Sequence, residues 1–79
     1  MKVKLTQDEL FLCTLAQKVD KSTTRQINRY TIGQLVHQNN KSVDNTVQLL
    51  VKTNFVKRGE GDSILITAHG LKLVEQLGF

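Results

Sequence analysis

Apolar and polar positions along the chain change period several times, and each change marks an element. Thr6 followed three residues later by Glu9 forms a capping box, and Leu5 with Leu10 has the spacing of a hydrophobic staple. A helix starts there. From Gln7 to about Val19, the residues Leu12, Leu15, Ala16 and Val19 recur at helical spacing and define one buried stripe. Asp20-Lys21-Ser22-Thr23-Thr24-Arg25-Gln26 is polar and without period, which predicts a loop, and Ile27-Asn28-Arg29-Tyr30 then alternates as a short strand does.

Thr31 is a competent cap for a second helix from Ile32 to about Gln38, with Ile32, Leu35 and Val36 pointing inward. Asn39-Asn40-Lys41 breaks the pattern, and Ser42 is placed to cap a third helix from Val43 to about Thr53. At 100° per residue, Val43, Thr46, Val47, Leu50 and Val51 share one side of this helix; Asn45, Gln48 and Lys52 lie opposite, with Leu49 at the border. Asn54 suits the left-handed residue that ends a helix, leaving Phe55 to fold back on Leu50. Val56-Lys57-Arg58 and Ser63-Ile64-Leu65-Ile66 flank Gly59-Glu60-Gly61-Asp62, which predicts a β-hairpin. Thr67 caps a last helix from Ala68 to Leu77 with Leu71, Val74 and Leu77 inward, and Gly78 stops it.

Composition narrows the class. With 79 residues, 39% hydrophobic and 23% charged, the chain can hold one globular core but has no room for an enclosed catalytic cleft. No apolar run reaches the roughly 20 residues that cross a bilayer, and Met1-Lys2-Val3-Lys4-Leu5 lacks the apolar stretch of a signal peptide, so a cytoplasmic protein without a membrane partner is expected. Cys13 is the only cysteine and sits among Leu10, Phe11, Leu12 and Leu15, the setting of a buried structural thiol. His37 and His69 lack the spacing of a zinc pair, and no cofactor, metal or small-molecule ligand is implied. There is no carboxylate pair, Ser/His/Asp set or phosphate-cradling loop, which argues against an enzyme. The net charge of +4 and pI near 9.5 favour a polyanionic partner. Residues 1–40 carry six Lys and Arg against three Asp and Glu, whereas residues 41–62 carry four against three.

The order helix, strand, helix, tight turn, helix, hairpin, helix resembles the winged-helix family over nearly the whole chain. Thr31-Ile32-Gly33-Gln34-Leu35-Val36, a turn, then Thr46-Val47 and Leu50-Val51 are similar to the helix-turn-helix of small bacterial regulators of the MarR and PadR type. Leu65-Ile66-Thr67-Ala68-His69-Gly70-Leu71-Lys72-Leu73 is similar to the passage from the second wing strand into the final helix of that family. The interval from Thr46-Val47 to Phe55-Val56 is about one helical turn shorter than is usual there, and Asn54 stands where glycine is common. The resemblance implies an α+β winged helix-turn-helix domain spanning residues 1–79, with the helix-turn-helix at about 31–54, the wing at about 56–66 and the last helix at about 68–77.

It also implies that the third helix enters the major groove of double-stranded DNA, as in a small transcriptional regulator. Asn45 and Gln48 then offer amides for adenine, and Lys52 meets guanine or phosphate. Thr31, Lys41 and Ser42, read as helix starts, offer amides and a positive dipole end to phosphate. Lys57 and Arg58 place a basic wing on the backbone or in the minor groove, diluted by Glu60 and Asp62. Asp44, read near the start of the third helix, favours the dipole but repels phosphate, while Lys18, Lys21, Arg25 and Arg29 form a looser basic group. One short reading helix contacts few bases, so a homodimer on two half-sites is expected, pairing through the first helix, the last helix or the Phe79 end. The competing reading is a protein-docking winged helix that uses Leu49, Phe79 and neighbouring apolar residues.

Overall fold

A computed structural model describes residues 5–79; Lys2 and Lys4, counted above among the basic residues, lie outside them. The elements run α1 (Gln7–Lys18), β1 (Ile27–Asn28), α2 (Arg29–Leu35), α3 (Asn40–Lys52), β2 (Val56–Arg58), β3 (Ser63–Ile66) and α4 (Ala68–Gln76). The sheet is antiparallel with order β1-β3-β2, pairing Ile27 with Ile64 and Val56 with Ile66. This is the α+β winged helix-turn-helix arrangement that the patterning predicts.

One core unites these elements. Phe11, Leu12 and Leu15 of α1, Ile32 of α2, Val43 and Val47 of α3, Val56, Ile64 and Ile66 of the hairpin and Val74 of α4 are buried together. Thr6 forms the expected capping box with Glu9: its hydroxyl accepts the Glu9 N–H at 3.2 Å, and the Glu9 carboxylate accepts the Thr6 N–H at 2.9 Å. Leu5 packs on the core, whereas Leu10, the other half of the expected staple, is largely exposed. Thr67 caps α4 by accepting the Gly70 N–H at 3.0 Å, and its hydroxyl also donates to the Asn54 carbonyl at 2.7 Å. The same residue therefore begins one helix and fastens the end of another.

The four helices among the described residues stop in the same way, with a left-handed residue after the cap and paired backbone bonds reaching back to the last turn. After α3 this residue is Asn54, at φ 66°, with its N–H on Val51 and the Phe55 N–H on Leu50 at 2.9 Å. Gly78 does the same for α4 at φ 91°. Asp20 and His37 serve α1 and α2, at φ 54° and 60°, and neither residue type marks a stop as glycine does.

Two helix starts differ from the expectation. Asn28, not Thr31, caps α2, its side chain accepting the Tyr30 N–H at 2.8 Å, so Arg29, Tyr30 and Thr31 form the first turn rather than a strand and a cap. β1 is short because Asn28 pairs with Ser63, the first β3 residue after the wing turn, beyond which no β3 partner remains. Asn39, not Ser42, caps α3 by accepting the Ser42 N–H at 2.8 Å. With α2 already ended at Leu35 and His37 in the left-handed region, Asn39 is the first competent cap the chain reaches.

Leu35 is 47% exposed instead of inward-facing, and Val36 is half-buried. The contact of α2 with α3 is centred on Gly33, where an added Cβ would collide with Val43 Cγ2. A glycine in a helix interior forgoes about 1 kcal/mol relative to alanine. Here it lets the two helices approach closely enough to bury Val43 completely. Turning about this face places Leu35 beyond the edge of the packed stripe.

Candidate nucleic-acid interface

The exposed side of α3 is built by the alternation that buries Val43, Thr46, Val47 and Leu50. Asn45, Gln48 and Lys52 are all exposed, and together with Leu49 they line one shallow depression. Among the described residues no hydrogen bond or ion pair engages these three polar side chains, so their donors and acceptors face solvent. Lys41 is exposed in the first turn of the same helix.

The two hydroxyl residues proposed as phosphate positions are placed differently. Thr31 is exposed but lies inside α2, whose first amides are already satisfied: Arg29 N–H by the Asp62 carbonyl at 3.1 Å and Tyr30 N–H by Asn28. Ser42 is half-buried in the third position of α3, with its own N–H held by Asn39. Neither is the cap residue that its phosphate role assumed.

Lys57 and Arg58 are both exposed on β2. The strand period sends adjacent side chains to opposite faces, and the register pairs Lys57 with Leu65 and Arg58 with Ile64. The two cations therefore stand on opposite faces of the ribbon. The wing turn is closed by the Ser63 N–H on the Glu60 carbonyl at 2.9 Å, with Gly61 supplying the positive φ of 56°.

The structure also shows functional candidates that the sequence reading missed. Asp44 falls beyond the first turn of α3 and is partnered: the Tyr30 hydroxyl donates to its carboxylate at 2.8 Å, and Arg29 Nη1 lies 3.7 Å from the same oxygen. That hydrogen bond, with burial and the Asp44 and Asp62 charges adding to it against the opposing Arg29 charge, pushes the Tyr30 phenol above its ordinary pKa. Gln26 Oε1 accepts the Glu60 N–H at 2.8 Å, fixing the wing turn from the β1 side. No local signal marks these pairings, because Tyr30 and Asp44 are 14 residues apart and Gln26 and Glu60 are 34 apart.

The residues offered for protein docking are not brought together. Leu49 lies in a groove with Leu12, Phe55 and Leu73 beside Asp8 and Glu9 at the start of α1. The Phe79 carbonyl accepts from Lys21 Nζ at 3.4 Å, past the other end of that helix. At 1.5 Å per residue, α1 separates these ends by about 18 Å. Cys13 is buried, and burial together with the Glu9 charge pushes its thiol pKa up, as expected of a structural cysteine. Among the described residues no helix is long and apolar enough to cross a membrane.

The topology and this exposed helix define a small winged-helix-like domain of the general kind that includes nucleic-acid binders. No family model, curated protein or solved structure matches the chain.

Proposed function

We propose that this protein binds double-stranded DNA sequence-specifically, as a small transcriptional regulator of the MarR and PadR type, with α3 in the major groove and the β2–β3 wing beside the backbone. The observation that carries this reading is the unengaged trio Asn45, Gln48 and Lys52 on the solvent side of the helix that follows the tight turn. Their amides and ammonium match base edges in the major groove. Lys41, Lys57 and Arg58 supply the sequence-independent phosphate contacts. Thr31 and Ser42 contribute their hydroxyls, since neither is the cap residue and the Tyr30 and Ser42 N–H groups are already held by Asn28 and Asn39.

A single two-fold-related pair of copies would read half-sites about 10–10.5 base pairs apart on one face of the duplex. The test is selection of bound duplexes from a random pool, followed by binding to the selected site over a salt series. Three phosphate-neutralising cations per copy predict a log–log salt slope of about −2.7 for each copy bound, and Gln48→Ala should cost about 1–3 kcal/mol on the selected site and relax one base pair of preference. Absence of salt-dependent duplex binding would overturn the proposal in favour of protein docking. Unchanged site preference in the single alanine variants of Asn45, Gln48 and Lys52 would remove these residues as readers.

A further inference from the structure

Arg29 looks from its sequence context like one member of a solvated basic group. In the fold its side chain is only 12% exposed. Its backbone N–H and its Nε–H both donate to the Asp62 carbonyl, each at 3.1 Å, while Nη1 faces Asp44 at 3.7 Å. Asp62 belongs to the wing turn and Asp44 to α3. One guanidinium thus touches both elements that the DNA-binding reading assigns to the duplex. Tyr30 strengthens the α3 end through its 2.8 Å hydrogen bond to Asp44, and Gln26 holds the same wing turn through Glu60.

We infer that Arg29 is a positioning residue that fixes the wing relative to α3, with Asp44 as its anchor, so that phosphate contacts and base contacts are made in one register. This rests on the DNA-binding reading for its consequence, though the coupling itself belongs to the free protein. The chemistry favours arginine specifically. Its planar fork presents Nε–H and Nη–H in fixed directions and can serve a carbonyl and a carboxylate at once, whereas a lysine ammonium is a single centre on a flexible stem. The wing turn contains Gly59 and Gly61, residues with wide backbone freedom, and the pins from Gln26 and Arg29 restrict it. Asp44 is half exposed, but its carboxylate is paired to Arg29 and accepts from the Tyr30 hydroxyl, which offsets its repulsion of a nearby phosphate.

The experiment has two arms on the full chain. In the first, nitrogen-15 NMR of the free protein follows the Arg29 Nε–H and the wing amides from Glu60 to Ser63. Asp44→Ala removes the 3.7 Å ion pair that orients the guanidinium and leaves the Nε–H bond to the Asp62 carbonyl in place, so it should speed Nε–H exchange about two- to fivefold, the worth of a partly exposed ion pair, and shift the wing amides. Asp44→Asn, which keeps an acceptor for Tyr30 but removes the charge, should give a smaller change and guards against a folding defect. Unaltered Arg29 and wing signals in both variants would overturn the coupling.

In the second arm, Lys57→Ala is measured in wild-type and Arg29→Lys backgrounds on a selected duplex and a random duplex, with circular dichroism confirming the fold. The affinity loss from Lys57→Ala should shrink in the Arg29→Lys background, because an unfixed wing has already lost most of its contact. Equal losses in both backgrounds would show that Arg29 does not position the wing. If Arg29→Lys does not fold, Asp44→Asn takes its place in this comparison with the same criterion. If the wild type binds neither duplex in a salt-dependent way, the DNA reading fails by itself, and the NMR arm alone decides whether Arg29 couples the wing to α3.

Discussion

Replacing Gly33 by alanine tests the contact that sets α3 against α2. Two effects of opposite sign act at this position. Alanine inside a helix gains about 0.8–1.0 kcal/mol over glycine, while forcing a methyl group into a filled core costs about 1–3 kcal/mol. Because the new Cβ would strike Val43 Cγ2, Gly33→Ala alone should lie between nearly neutral and about 2 kcal/mol destabilising. Val43 is fully buried, so Val43→Ala removes two methyl-sized groups worth about 0.8 kcal/mol each, or about 1.6 kcal/mol, before any cavity cost.

The double variant removes the atom that the alanine would strike and fills part of the vacated space. Its cost should fall to about 0.7 kcal/mol, which is a favourable coupling of about 1–3 kcal/mol relative to the summed single variants. Equilibrium urea unfolding of all four proteins, followed by far-ultraviolet circular dichroism, measures each change through the midpoint at constant m. Additivity within about 0.3–0.5 kcal/mol would refute the close-approach argument, because contacting residues should couple and independent ones should not.

Three further outcomes are expected. Tyr30 is the only tyrosine and the chain has no tryptophan, so tyrosinate absorbance isolates its titration. The midpoint should lie above the ordinary value of 10.0 and fall towards it in Asp44→Ala. Since the folded pKa is raised, this group's contribution to stability is complete below the unfolded pKa and is lost as pH rises through the folded one, so alkali should narrow the stability gap between wild type and Tyr30→Phe. Cys13 should resist a thiol reagent in the native state and react at a rate set by opening of the fold, which a reaction as fast as that of the urea-unfolded chain would contradict. The Lys57→Ala, Arg58→Ala double variant should weaken selected and random duplexes by similar factors and reduce the salt slope by up to roughly 1.8; a wild-type slope with an intact fold would remove the wing from the interface.

The chain's own pattern determined those features that depend on neighbours within one turn or one hairpin. Thr6 with Glu9, Thr67 three residues before Gly70, Asn54 and Gly78 after their helices, and the strands flanking Gly59 to Asp62 all act through short-range bonds, and they stand where the pattern places them. The solvent side of α3 was legible for the same reason, since burying Val43, Val47 and Leu50 leaves Asn45, Gln48 and Lys52 outside. Tertiary structure decided between residues of equal local merit. Asn28 and Thr31, like Asn39 and Ser42, can both cap a helix, and the choice fell to where β1 pairs with β3 and where α2 stops. The exposure of Leu35 followed from the close packing of Gly33 on Val43. Arg29 became an internal bridge only when the wing turn and α3 came together around it, because contacts to Asp44 and Asp62 span 15 and 33 residues and leave no periodic trace in the chain.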